Sequence, residues 1–341
     1  EKAVVHLSRA IDLQPDYAEA WSALADAYAL GARTPSPAIM PWHEDKIAAG
    51  TAAAQRAIEV AAGTGATQRV IHVAAGMAAA RRAIQLDPSL GHPHAALGRF
   101  LLQQRRWQES EVEHRQAVVL SPQYSTGRQW YGTLLARLGK CDEALKQTQI
   151  GADIDPLTPL VNEAVASVHL MCRQPARAIP ILLRVLDMYP DLVTSIYRLG
   201  DAYTSIGEYQ RALEVLERGV KLAPGYCRTR VSLIDTLVLS GNRAQGTALA
   251  RQIQKEAAAR QESIRCAASA SAALGDRDAM FAFLEKLKEQ EDPMDNLLFE
   301  LRLVRYLGDP RYRVLLEEVG LLPYLAGSPL ATPPLPAPPR H

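Results

Sequence analysis

Five prolines fall at equal steps along this chain: Pro88, Pro122, Pro156, Pro190 and Pro224 are each 34 residues apart. A fixed step of that size means one small supersecondary unit used again and again, each copy burying its apolar face against the next. Ten residues after each proline stand Gly98, Gly132, Ala166, Gly200 and Ile234, and five before stand Ala83, Ala117, Gly151, Val185 and Gly219. Gly139, Gly207, Gly241 and Gly275 keep the same step, with Arg173 in the one slot of that series that lacks glycine. Each slot has a physical reason. Proline ends a helix because it has no N–H and its ring clashes with the preceding turn. Glycine between helices takes up the left-handed backbone that closes a helix end. Small residues within the helices let two backbones approach. Between these slots run apolar residues at helical spacing, such as Leu199, Tyr203 and Ile206, then Leu213 and Leu216. The unit is therefore a helix, a tight turn, a second helix and a break.

Composition agrees. The length of 341 residues would by itself allow two or three domains, but aromatic residues are only 6%, which disfavours sandwiches and barrels. Lys and Arg total 38 against 37 Asp and Glu, a net charge of +1, so the strong basic footprint of a dedicated nucleic-acid binder is missing. No run of 18 apolar residues occurs that would span a membrane.

The stretch VTSIYRLGDAYTSIGEYQRALEVLERGVKLAP resembles the tetratricopeptide repeat, with Leu199-Gly200, Tyr203, Gly207, Tyr209, Ala212, Leu216, Gly219 and Pro224 at the signature positions. AEAWSALADAYAL repeats its first half with Trp21, Leu24, Ala25 and Tyr28. The likeness covers roughly residues 1–290. It implies an all-α fold, an α-solenoid in which tetratricopeptide helix pairs stack into a right-handed superhelix, with the first helix of each pair lining a concave groove. Residues seven and eleven after each proline share that helix face. With their neighbours they give a candidate peptide-binding row: Arg99, Gln129, Trp130, Thr133, Glu163, Tyr197, Arg198, Asp201, Arg228 and Asp235. Members of this family that grip the acidic tails of heat-shock chaperones carry Lys and Asn in this pair of slots; no repeat here does, which argues against that clamp.

The pattern divides the chain into a repeat array over 1–294, closing helices over 295–326 and a disordered Pro-rich tail over 327–341. Within the array, the strict repeats run from 91 to 260 and a weaker one from 261 to 294. Residue 1 falls inside a second helix, so the first repeat is expected to be partial and the chain a fragment of something longer. The 73 residues between Pro15 and Pro88 exceed one step by 39, an insertion placed at about 33–73. Part of it reads as a duplication, AAGTAAAQRAI (48–58) against AAGMAAARRAI (74–84). The closing motif Gly308-Asp309-Pro310-Arg311-Tyr312 resembles repeat regions attached to effector domains in bacterial regulators, among them winged-helix, class III cyclase and Ser/Thr kinase fusions. That implies an alternative role as the regulatory arm of such a protein.

The expected function is a non-catalytic scaffold for a peptide or protein partner. No phosphate loop, zincin pair or nucleophile elbow is present, and no cofactor or metal is expected. His92 and His94 read as ordinary surface histidines, and His169 falls in a slot that is buried in other repeats. Cys141, Cys172, Cys227 and Cys266 have separations of 31, 55 and 39 residues, matching no zinc or redox motif. They are expected to be reduced thiols, and the protein cytoplasmic, with the periplasm as the other compartment considered.

Overall fold

The computed structural model of the chain describes residues 2–31, 65–259, 264–289 and 301–325. These residues are helices and turns, with no strand among them. In chain order the helices are α1 (Lys2–Leu13), α2 (Ala18–Gly31), α3 (Gly65–Leu86), α4 (His92–Gln103), α5 (Trp107–Leu120), α6 (Ser125–Arg137), α7 (Cys141–Ile154), α8 (Pro159–Met171), α9 (Pro175–Met188), α10 (Val193–Ser205), α11 (Tyr209–Leu222), α12 (Cys227–Leu239), α13 (Arg243–Ala259), α14 (Ile264–Leu274), α15 (Arg277–Glu289), α16 (Leu301–Val304), α17 (Pro310–Glu318) and α18 (Leu322–Leu325). The chain forms two compact units, 1–131 and 132–341. The first copy of the duplicated segment (48–58), most of the inserted stretch 33–73 and the Pro-rich tail lie outside the described residues.

In the first unit, the long α3 packs on α2, and α4 and α5 pair with each other. The core joins Leu24, Tyr28 and Ala29 to Val73, Met77, Ala80 and Phe100. In the second unit, α10 pairs with α11 and α14 with α15, while the first helices α10, α12 and α14 each touch the next in the row. Its main core brings together Leu182, Leu199, Tyr203, Leu216 and Leu237.

Among the described residues, the inter-helix turn recurs six times at the 34-residue step. The amide of residue 106 donates to the carbonyl of 101, and the same bond recurs one step on at 140→135, 174→169, 208→203, 242→237 and 276→271, with N···O of 2.8–3.0 Å. This is the six-to-one bond of a Schellman motif, which needs a left-handed residue just before the donor. The left-handed residues are Gly139, Gly207, Gly241 and Gly275, with φ between 74° and 93°, and also Arg105 at 60° and Arg173 at 61°. The turn therefore keeps its geometry even where an arginine bears the strain, about 1–2 kcal/mol for a residue with a Cβ.

Within each pair, bulk is exchanged between two slots sixteen residues apart. Gly98 faces His114, Gly132 faces Thr148, and Gly200 faces Leu216. Ala166 and Leu182 occupy the next pair of slots and share one core. In the repeat that carries Ile234, the other slot holds Ala250, and both are fully buried. A Cβ on Gly200 would lie 2.4 Å from Leu216 Cγ, whereas one on Gly207 would meet nothing within 4 Å. Gly200→Ala is thus expected to cost about 1–3 kcal/mol through overpacking. Gly207→Ala should cost about 1–2 kcal/mol through backbone strain alone, and adding Leu216→Ala should relieve only the first. Urea unfolding of the two single and two double variants measures this; equal rescue of both glycine variants would refute the assignment.

The closing motif is explained by local packing. Asp309 caps α17, its Oδ1 accepting from the Arg311 amide at 3.0 Å, while Tyr312 is fully buried. Burial opposes ionisation of Asp309, but the bonds from Arg311, with the charges of Arg311 and Arg277, hold its carboxyl below the usual range.

Candidate functional site

The first helices carry polar and aromatic side chains four residues apart on one face, and these gather into clusters, each within one unit. In the first unit, Arg99 lies over the Trp130 ring with its Cζ 5.0 Å from the centroid, and its Nε donates to the Ala29 carbonyl at 3.0 Å. Tyr124 Oη donates to Asp26 Oδ2 at 3.2 Å. His92 stacks on Tyr124 at 3.8 Å between ring centroids. Burial pushes the Asp26 carboxyl above its ordinary range despite the bond and charge of His92. Gln129 is half-buried on the same helix as Trp130. His94 is not on this cluster; its Nδ1 sits 2.6 Å from Glu113 Oε2.

In the second unit, Thr133 is half-buried on α6. A separate cluster forms around Glu163, whose carboxylate pairs with Arg198 and accepts from Thr194 Oγ1 at 3.1 Å. Arg198 lies over the Tyr197 ring at 4.8 Å, Arg228 approaches the same ring at 6.0 Å, and Tyr226 tilts against it. Burial lowers the pKa of His169, whose Nδ1 meets Gln174 Oε1 at 3.0 Å.

The remaining two candidates, Asp201 and Asp235, meet the C-terminal segment. Arg305 donates from both Nη atoms to the two Asp235 oxygens at 2.7 and 2.9 Å. Arg302 pairs with Asp201 and donates to Ser232 Oγ at 2.9 Å. Asp235 is 3% exposed, Arg302 5% and Arg305 9%. Burial, and the neighbouring Asp235 carboxylate, push the Asp201 carboxyl up against the pull of Arg302. Burial and the charge of Arg305 push the Arg173 guanidinium down to about 10. Sequence reasoning missed Arg302 and Arg305, which lie 101 and 70 residues from the aspartates they join. The available signal was a carboxylate in the same slot of two successive repeats, together with two arginines interrupting an apolar run.

The cysteines overturn the reduced-thiol expectation. Cys141 is bonded to Cys172 and Cys227 to Cys266, with Cα separations of 5.7 and 6.1 Å. The physical reason is the repeat itself. Separations of 31 and 39 residues bracket one 34-residue step, so each pair falls at neighbouring positions on adjacent repeats. That basis for a cytoplasmic location is gone. No helix of the described residues is long and apolar enough to cross a membrane.

Stacked helix pairs with a repeated Schellman turn and a polar first-helix face define a helical-repeat protein. Residues 193–226 match the family model of the tetratricopeptide repeat. The same turn and spacing recur in the neighbouring helix pairs, so the fold is that of stacked tetratricopeptide-like helix pairs, with one repeat matched by the family model. Among solved structures, a tetratricopeptide repeat protein from Parabacteroides merdae is similar over 74% of this chain and 98% of its own, with a TM-score of 0.53 and 12% identity. PilF of Pseudomonas aeruginosa is similar over 64% of this chain and 96% of its own, with a TM-score of 0.47 and 19% identity. No curated protein matches the chain.

Proposed function

We propose that the chain is a non-catalytic protein-interaction scaffold that holds a peptide or protein surface on its first-helix face. The observation that carries this reading is the cluster around Tyr197. There an aromatic ring is flanked by the guanidinium groups of Arg198 and Arg228, with Tyr226 beside it. Aromatic and arginine side chains held in fixed positions are the usual anchors of binding surfaces. They suit an extended peptide that offers carbonyls and one or two apolar side chains. Arg99 over Trp130 provides a second such pair in the first unit. The net charge of +1 favours a protein partner over nucleic acid. The two disulfides favour an oxidising compartment over the cytoplasm.

The test is selection of peptides from a random displayed library on the full chain, followed by affinity measurement on Arg228→Ala and Gln129→Ala. The expected result is at least a tenfold loss of affinity on one of these variants. A failure to select any peptide, or selected peptides indifferent to both substitutions, would refute binding on this face.

A further inference from the structure

The segment Arg302–Tyr306 lies across the first helices and does not simply extend their row. Arg302 reaches Asp201 on α10 and Ser232 on α12. Arg305 holds Asp235 on α12, and Tyr306 Oη donates to the Ala272 carbonyl on α14 at 2.9 Å. Five residues thus cross three successive repeats on the face where a bound peptide would run. The contacts are those of a ligand: two buried guanidinium–carboxylate pairs, one of them bidentate, and a buried tyrosine whose hydroxyl is satisfied. With this segment removed, Asp201 and Asp235 would be two carboxylates one repeat apart on the same face with no cation from that segment between them.

We propose that Arg302-Leu303-Val304-Arg305-Tyr306 is a tethered ligand that closes the α10–α14 part of the groove. On this reading, the Asp201/Ser232/Asp235 surface is a receptor for a peptide carrying two arginines three residues apart followed by tyrosine, and an external partner with that signature must displace the chain's own segment. The proposal rests on the reading of the first-helix face as a binding surface, and adds what it recognises and how it is controlled. A tethered segment acts at an effective concentration on the order of millimolar. An external peptide sees only the fraction of molecules whose groove is open, and its apparent affinity falls in proportion.

The probe is a fluorescein-labelled peptide of residues 297–309, LLFELRLVRYLGD, titrated by anisotropy against the full chain. The Arg302→Ala/Arg305→Ala chain is expected to bind it at least ten times more tightly than the unaltered chain does. Adding Asp201→Asn and Asp235→Asn should abolish that gain, and a probe with both arginines replaced by alanine should not bind. If the alanine pair does not melt cooperatively, Arg302→Lys/Arg305→Lys takes its place, since it keeps both charges and loses the bidentate fork. In the unaltered chain, millimolar unlabelled peptide should speed amide exchange over 301–306. A folded, opened chain that binds no better than the unaltered one overturns the proposal, as does binding that survives loss of both aspartates. Library-selected peptides that bind opened and unaltered chains equally and depend on Asp201 would also overturn the self-closure, while leaving the first-helix face as a binding surface.

Discussion

Asp235→Ala is expected to destabilise the protein by about 3–5 kcal/mol, because it strands a buried guanidinium without its carboxylate. Both Nη atoms of Arg305 spend their hydrogen bonds on Asp235, and Arg302 Nε lies 3.5 Å from the same carboxylate. The guanidinium side chain of Arg305 is 1% exposed, so water cannot replace the lost partner unless the segment leaves its site. Removing both charges together should cost less, since an apolar pair of similar volume avoids the desolvation that the ion pair must overcome. The Asp235→Leu/Arg305→Met chain should therefore recover at least half of the loss seen for Asp235→Ala. Urea denaturation followed by circular dichroism gives both numbers. A loss below about 1 kcal/mol for the single variant, the range of surface pairs, would contradict the buried ion pair.

The second large effect concerns sulfur. Thiol titration of the denatured, unreduced protein should find no free cysteine, and peptide mapping should recover the 141–172 and 227–266 links. Four reactive thiols before reduction would refute both. Reduction is expected to cost about 2–4 kcal/mol for each bridge, mainly because each closes a loop of some thirty to forty residues in the unfolded chain. The Cys141→Ser/Cys172→Ser variant isolates one of these contributions. It ties the start of α7 to the end of α8, so its loss should loosen that repeat before the distant α14–α15 pair. Amide exchange by repeat resolves this, because stability in such arrays is close to a sum of local terms.

What could be read from the sequence divides along a physical line. The proline step, the left-handed turn and the small slots at Gly132 and Gly200 are local requirements, each imposed by residues within the same 34-residue unit, and a single repeat states them. The Tyr197 and Arg198 slots were legible for the same reason, since their helix face follows from periodicity. The arginine pair was not. Its partners are separated by three or two repeats, and the apolar residues around it, Leu301 and Val304, read as a cap for the last repeat. The cysteines were misread by comparing their spacing with metal and redox motifs. The relevant ruler was the repeat length: separations of 31 and 39 residues lie close to one step and put the two members of each pair on adjacent repeats.

The bulk exchange between Gly200 and Leu216 is complete inside one helix pair, and so is the Schellman turn at Gly207. Excising a whole unit at the 34-residue step would leave these two features intact in each pair that remains. The two aspartates do not share this freedom. Deleting the unit that carries Asp201 would leave two C-terminal arginines with one carboxylate between them. The filling inside a helix pair takes no account of how many pairs there are, whereas the aspartate–arginine pairs depend on the number.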